Sequence, residues 1–497
     1  MCGIVGYIGQ RDACGILLDG LKRLEYRGYD SAGVGVVADG QLNIRKTVGK
    51  LRKLETELNG NGLAGPLGLG HTRWATHGKP SVENSHPHLS CDGRIAVVHN
   101  GILENYVDLR SRLRAEGHTL VSDTDTETMA HLVETYYGGD LLQAVRRAVR
   151  DVEGAFAFGV ICADNPDEMV AVRRFSPLVV GIGAGENYMA SDMAAIRVET
   201  DRAYILEEDQ IAHISRDGIE LYDSELTPVE RHTFVIPWAP EAADKGGHDH
   251  FMHKEIHEQP MAMRTCLATR LVDPDEPIRF DELDMTPAEL RSLRRIILTG
   301  CGTAYHAGMV GRCLMEKLAR IPAETDLASE LRTRDLVASE DTLCMVVSQS
   351  GETADSLAAL REVRASGAKI LSVLNVIDSS IDRESDAVAY IHAGPEIGVA
   401  STKAYTLQIV TMALLALHFA EVRESAPPEV LRELKATLLS LPEQTEELLR
   451  READIEDVAT RYYDRRSSLY IGRGINLASA MEGALKLKEI SYIHAEA

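Results

Sequence analysis

Cys2 stands at the head of the apolar run Cys2-Gly3-Ile4-Val5-Gly6-Tyr7. Removal of Met1 would leave it N-terminal, with a thiol nucleophile and a free α-amine on one residue. An α-amine titrates at about 7.7–8.0, so near neutral pH a fraction is an unprotonated base that can activate its own nucleophile. The competing reading is a small residue opening a buried strand. Three segments bear on the choice. His71-Thr72-Arg73-Trp74-Ala75-Thr76-His77-Gly78 gathers a guanidinium, an aromatic ring and hydrogen-bonding groups. Val98-His99-Asn100-Gly101 ends an apolar strand with an amide and a glycine, and Ser122-Asp123-Thr124-Asp125-Thr126-Glu127 puts a carboxylate at a helix start. Each also has a structural reading: Arg73 as a surface charge, Asn100-Gly101 as a hairpin turn, Asp125 as a helix N-cap.

The second half carries different chemistry. Ser348-Gln349-Ser350-Gly351-Glu352-Thr353 follows the apolar run Leu343–Val347 and precedes a helical stretch, Ala354–Ala365. Hydroxyls, an amide and backbone N–H groups at a helix start make an anion site that suits a phosphate monoester; a capped polar turn is the alternative. Gly300-Cys301-Gly302-Thr303 lies at the equivalent end of its own strand, so the two loops are expected to converge on one crevice. Lys486 and Glu489 are i,i+3 neighbours on one helix face. By themselves they read as a surface ion pair. His248, His250, His253 and His257 sit in a glycine-rich stretch beside carboxylates. They read as adventitious ligands, and no metal site is assigned.

These groups need elements to hold them. At 497 residues and 44% hydrophobic, the chain is long enough for about three compact domains. Its net charge of −23 argues for a soluble protein and against a nucleic-acid footprint. The cysteines at 2, 14, 91, 162, 266, 301, 313 and 344 are scattered and form no C-x-x-C pair. This points to a reducing, cytoplasmic compartment. No signal peptide is read at the N-terminus, and no stretch is read as reaching the ~18 apolar residues of a membrane helix. Residues 1–240 read as short strands (Ile4–Ile8, Gly33–Val37, Ile95–His99, Phe156–Cys162, Met169–Val172) with helices at Ala13–Leu24 and Thr126–Tyr136. That is a layered α/β or α+β unit. Residues 239–260 read as a linker entering a helix near 252–270. From Arg295, the runs Ile296–Thr299, Leu343–Val347, Ile370–Leu374 and Ala387–Ile391 alternate with helical segments, as in a parallel sheet covered on both faces. Ile297–Gly302 and Leu469–Gly474 repeat at an offset of 172, as do Gly311 and Gly483 in the helices that follow. Two related α/β units are expected, with the second cut off at Ala497.

With Cys2-Gly3-Ile4, Arg27-Gly28-Tyr29-Asp30-Ser31, Arg73-Trp74-Ala75-Thr76-His77 and Asn100-Gly101, the N-terminal half resembles the class II glutamine amidotransferases. Ser348–Thr353, Gly394–Lys403 and Glu482–Ser491 resemble the sugar-isomerase (SIS) family of phosphosugar-binding modules, and Lys254-Glu255-Ile256-His257-Glu258-Gln259-Pro260 fits between the two. The resemblance implies an α/β multi-domain protein. An N-terminal-nucleophile α/β/β/α sandwich would span 1–240, followed by a linker and connecting helix at 241–285. A first α/β/α SIS unit would cover 286–430, a connecting helical segment 431–455, and the start of an incomplete second SIS unit 456–497.

The resemblance also implies roles. Cys2 would attack the glutamine amide with its own α-amine as base, and Asn100 and Gly101 N–H would form the oxyanion hole. Arg73 would pair with the α-carboxylate and Asp125 would receive the α-ammonium. Trp74, Thr76 and His77 would lie on a loop closing over glutamine, with His77 structural or lid-related. Thr303, Ser348, Gln349, Ser350 and Thr353 would hold the phosphate, and Val399 and Ser401 would touch the sugar. Glu489 would shuttle a proton between C1 and C2, assisted by Lys486. Ala304 stands where the family commonly has serine.

The implied partners are glutamine and fructose 6-phosphate, with a homodimer through the isomerase half, no cofactor, no nucleic acid and no membrane. The products are glutamate and glucosamine 6-phosphate. The ring-opening histidine and Schiff-base lysine of the family are expected beyond Ala497, and His494 is not equated with the former. Synthesis by this chain alone is therefore expected to be impaired. Its alternative reading is a glutaminase with a phosphosugar-sensing half. An amidotransferase serving a phosphoribosyl acceptor is disfavoured by the doubled SIS loops.

Overall fold

Alternation along the first strand sets the layering of the N-terminal half. In Gly3–Ile8, Val5 and Tyr7 enter one core while Ile4 and Ile8 enter another, as the two-residue period of a strand requires. The computed structural model describes residues 2–25, 28–58, 62–75, 77–230 and 232–497. The chain divides into two compact units, 1–244 and 245–497.

In the first unit Gly3–Ile8 pairs antiparallel with Leu67–Arg73, which in turn pairs with Ser31–Ala38, inside an eight-stranded sheet. A six-stranded antiparallel sheet contains Ile95–Leu103 paired with Gly154–Cys162. Ile4, Leu69, Ala96, Val98, Ala157 and Met169 fill the space between the sheets. Ala13–Leu24 and Leu51–Leu58 cover the outer face of the first sheet through Leu17, Leu21 and Leu54. Thr126–Tyr136 and Leu141–Arg150 cover the second through Met129, Leu132 and Val145, against Val97 and Phe158. This is the expected α/β/β/α sandwich.

The second unit is built on a five-stranded parallel sheet. Its spatial order is Ala323–Leu327, Arg295–Gly300, Thr342–Val347, Lys369–Leu374, Ala387–Tyr390. In chain order that is 2-1-3-4-5, with the topological switch between the first and third strands, where such sheets bind ligands. The helix Lys403–Arg423 packs Leu407, Leu414, Leu415 and Phe419 into the core beside this sheet. Among the described residues it is the one helix long and apolar enough to cross a bilayer. The expectation that no stretch reaches that length is corrected, and burial in the core accounts for its hydropathy.

The internal repeat has a physical counterpart. A Cβ on Gly311 would meet Met412 and Leu298, and one on Gly483 would meet Tyr470, so each helix glycine lets its helix close on the equivalent residue of its repeat. In the second repeat Ser467–Leu469 pairs in parallel with His494–Glu496, and Asn476–Ser491 is helical. Leu469 and Ile471 stand exposed there.

Candidate active site

Strand register delivers the first-half residues to one place. Cys2 precedes Gly3–Ile8, Arg73 ends Leu67–Arg73, and Asn100 and Gly101 lie within Ile95–Leu103. Asp125 precedes the Thr126–Tyr136 helix. A cavity of about 250 Å³ is lined by Cys2, Arg73, Trp74, His77, Asn100, Gly101 and Asp125. Seven of the eight glutamine-site residues expected from the sequence therefore meet there. Thr76, like Arg27 and Met1, lies outside the described residues.

Each lining group has a defined partner. The backbone N–H of Trp74 donates to Cys2 Sγ at 3.2 Å. Burial pushes the Cys2 thiol up from its ordinary value, against smaller opposing pulls from that N–H and from Arg73, so the thiol needs a base. Arg73 is buried, and its Nη2 donates to the carbonyls of His77 and Gly78. Its Nη1 is buried without a hydrogen-bond partner. A fork with one free prong beside the nucleophile is suited to an incoming carboxylate. Trp74 packs edge-on against Tyr29, and His77 edge-on against Tyr106.

Asp125 occupies the N-cap position of its helix, but its side chain makes no capping bond. It accepts instead from Leu103 N at 2.9 Å, so the capping alternative is not realised. Gly101 has φ +133°, and a Cβ there would fall 2.0 Å from Ala155 O. The Asn100-Gly101 pair is not a hairpin turn, because the strand runs on to Leu103.

One orienting group escaped the sequence reading. His71 Nε2 lies 3.1 Å from both His99 O and Asn100 Oδ1. A backbone carbonyl only accepts, so Nε2 carries the proton. Asn100 Oδ1 then accepts from His71, which turns Nδ2 to donate to Cys2 O at 2.8 Å and leaves its second N–H available. Burial holds His71 down at about 3. It stacks on His86 at 4.0 Å, and burial likewise lowers His86, His88 and His99. His71 and Arg73 share a face of one strand, and that two-residue spacing was the available signal. His86, His99, Thr124, Thr126, Ser176 and Pro177 also line the cavity and were not assigned.

In the second unit the Gly302–Thr303 turn and the Ser348–Thr353 loop follow the first and third strands of the sheet, flanking the switch point. Ser348 Oγ accepts from Gly351 N at 3.1 Å, Ser350 Oγ accepts from Glu352 N at 3.2 Å, and Thr353 stands at the helix N-cap without a capping bond. Glu352 accepts from the N–H and the hydroxyl of Ser380, which fixes the loop. Gln349 takes part through its backbone, accepting from Asn375 N at 3.2 Å.

Thr303 joins a separate cluster. It donates to Glu482 Oε1 at 2.9 Å and accepts from Lys486 Nζ at 3.0 Å. Lys486 also pairs with Glu482 at 3.2 Å and Glu489 at 2.7 Å, and His306 Nδ1 lies 2.7 Å from Glu482. The expected ion pair is thus present, within a larger network. Glu482, one turn before Lys486, was missed although its i,i+4 spacing could have found it.

The 394–402 segment hangs on two carboxylates. Glu255 accepts from Ile397 N and Gly398 N, and Glu396 from Thr402 N and Ala404 N. Burial, helped by Glu396, raises Glu255 to about 7. Ser401 Oγ is buried without a hydrogen-bond partner, whereas Val399 is exposed.

Comparison with known proteins agrees with both halves. Residues 38–227 match a glutamine amidotransferase domain model, and residues 289–418 match a SIS domain model. The chain is 49% identical to the glutamine–fructose-6-phosphate aminotransferase (isomerizing) of Clostridium tetani, over 100% of this chain and 82% of that protein. It is 50% identical to the Clostridium perfringens enzyme of the same name, over 100% and 81%. The C-terminal domain of glucosamine-fructose-6-phosphate aminotransferase from Francisella tularensis is similar at a TM-score of 0.49 and 38% identity, over 51% of this chain and 71% of that one.

Proposed function

The chain belongs to the glutamine–fructose-6-phosphate aminotransferase (isomerizing) family, and from that premise we propose how its residues divide the work. The enzyme takes the amide nitrogen of glutamine to fructose 6-phosphate, giving glutamate and glucosamine 6-phosphate. The observation that carries the proposed first step is the cavity in which Cys2 meets Arg73, Asn100, Gly101 and Asp125.

With Met1 removed, the α-amine of Cys2 takes the thiol proton. A base is needed because burial disfavours the thiolate. Sγ attacks the side-chain carbonyl of glutamine, and the oxyanion is met by the second Nδ2–H of Asn100 and the N–H of Gly101. Ammonia leaves, and water hydrolyses the thioester to glutamate. Arg73 Nη1 takes the α-carboxylate and Asp125 the α-ammonium, while Trp74, Thr76 and His77 close over the side chain.

In the second unit Thr303, Ser348, Gln349, Ser350 and Thr353 take the phosphate, aided by the N-terminus of Ala354–Ala365. Ser401, whose buried hydroxyl lacks a partner, and Val399 face the sugar. Ammonia condenses at C2 with loss of water, and Glu489 moves a proton from C1 to C2 with Lys486 beside it. The proposed domains are 1–240 for the glutaminase, 241–285 as connector, 286–430 for the first SIS unit, 431–455 as a helical connector, and 456–497 for the start of a second. We propose a cytoplasmic homodimer. The net charge of −23 and eight unpaired cysteines support the compartment.

The test measures glutamate and glucosamine 6-phosphate together, with and without fructose 6-phosphate, for this chain and its Cys2→Ala variant. Glutamate should appear with impaired amino-sugar formation, and both products should vanish in the variant. Glutamate that persists in Cys2→Ala would overturn the nucleophile assignment. Sugar-stimulated glutamate release without amino sugar would favour the sensing alternative.

A further inference from the structure

Away from the glutamine cavity, four side chains from three separate segments aim their donor atoms at one point. Cys91 lies in the turn between His88–Leu89 and Ile95–Leu103, and His118 follows the Tyr106–Ala115 helix. His131 and Glu134 sit one turn apart on Thr126–Tyr136. Cys91 Sγ is 3.6 Å from His118 Nδ1 and 3.5 Å from His131 Nδ1. Glu134 Oε2 is 3.0 Å from each of those nitrogens, and one donor atom per residue gives a set lying within 4.8 Å of one another.

We propose that Cys91, His118, His131 and Glu134 form a structural zinc site. The four edges that involve the imidazole nitrogens and the other two donors are close to those of a coordination tetrahedron. Zn–S of about 2.3 Å and Zn–N of about 2.0–2.1 Å at the tetrahedral angle put sulfur and nitrogen about 3.5–3.6 Å apart, and nitrogen and carboxylate oxygen about 3.3 Å apart. The observed sulfur–nitrogen edges match, and the nitrogen–oxygen edges need to open by only a few tenths of an ångström. One thiolate, two imidazoles and one carboxylate suit a borderline-soft divalent ion. With four protein donors the site is closed, which marks it as structural rather than catalytic.

Both histidines present Nδ1, which leaves Nε2 for outer contacts. His118 Nε2 lies 3.0 Å from Thr135 Oγ1. His131 Nε2 is buried without a hydrogen-bond partner, and the Glu127 carboxylate is the charged group beside it, at 3.8 Å. Glu127 is itself held by Val121 N, Ser122 N and the Ser122 hydroxyl. A carboxylate behind a ligating imidazole is the usual second layer of a zinc site. Glu134 is held against the turn by the N–H groups of Cys91 at 3.1 Å and Asp92 at 3.3 Å. Cys91 is exposed, so an ion can enter from solvent, and the thiol proton leaves to solvent as the bond forms. The three segments clasped are continuous with Asn100-Gly101 and Asp125, so the ion would brace the walls of the glutamine cavity.

The test uses the full chain stripped by a chelator and titrated with Co2+ as the zinc probe. The expected result is the intense visible spectrum of tetrahedral cobalt with a thiolate charge-transfer band, saturating at one equivalent and bleached by Zn2+. Cys91→Ser should lose the charge-transfer band. Zn2+ should raise the melting temperature of the stripped wild type but not that of the variant. A double variant at a second cluster, half-buried His253 and His257 with exposed Glu452, H253A/H257A, should keep the band. Absence of the band in the wild type through the first equivalent, or its persistence in Cys91→Ser, would overturn the proposal.

Discussion

Replacing His71 by glutamine separates its charge from its hydrogen bond. Glutamine can offer an N–H at similar reach to Asn100 Oδ1, but it does not titrate. In the folded protein burial holds His71 at about 3, against 6.5 when free. A base whose pKa is depressed by folding contributes stability that is complete above its unfolded pKa and is lost as pH falls through that value. Between pH 7.5 and 5.5 the unfolded imidazole becomes about nine-tenths protonated while the folded one stays neutral. The difference amounts to about 1.4 kcal/mol. His86, His88 and His99 act with the same sign. His213, raised to about 9 chiefly by its hydrogen bond to Glu168, acts with the opposite sign over the same window. The profile of the wild type alone is therefore not diagnostic, and the difference between wild type and variant is.

Both tryptophans, Trp74 and Trp238, lie in the first unit, so urea unfolding followed by tryptophan fluorescence reads that unit. His71→Gln should lower the change in stability between the two pH values by about 1.4 kcal/mol while keeping most glutaminase activity. His71→Phe removes the bond as well. Loss of a whole oxyanion donor costs about 10²–10³ in kcat, and freeing Asn100 to turn should cost about ten- to a hundredfold. An unchanged pH dependence in His71→Gln, or full activity in His71→Phe, would refute the assignment of a neutral orienting imidazole.

Three further outcomes follow from the same geometry. Gly101→Ala should destabilise the first unit by about 1–3 kcal/mol through a left-handed backbone and a clash with Ala155 O, and should abolish most glutamate release; melting and kcat report the two. Arg73→Lys loses the free prong of the fork, so the KM for glutamine should rise about ten- to a hundredfold with kcat far less affected. Glu255 is the pH counterpart of His71: a carboxyl raised from 4.5 to about 7 contributes stability at low pH that is lost as pH rises through 7. Glu255→Gln should flatten by about 2 kcal/mol the decline of the second unit between pH 5.5 and 7.5, read by scanning calorimetry.

Local features were legible in the sequence. Ala13–Leu24, Thr126–Tyr136 and Ala354–Ala365 are helices with the limits expected, because apolar periodicity and flanking polar residues act within a few positions. The strands also lie where expected, most of them longer by a few residues at their polar ends, as with Ile95–Leu103. The residues gathered from afar were not legible. His71 and Asn100 are 29 positions apart, and Cys91 and His131 are 40 apart. Motifs show contiguous runs, so they displayed the four linker histidines and concealed the tetrad that spans three elements.

Asp12 and Asp125 show where that boundary lies. Each is an aspartate immediately before a helix, and propensity treats them alike. Asp12 accepts from Cys14 N and caps its helix. Asp125 leaves its helix uncapped because its carboxylate is drawn to Leu103 N, 22 positions back on the neighbouring strand. A cap foregone costs about 1 kcal/mol, and the position is held by a hydrogen bond from a different element. A carboxylate withheld from its own helix and turned into a cavity beside a thiol is the arrangement expected of a group kept for a ligand. It is visible only once the strand and helix are placed side by side.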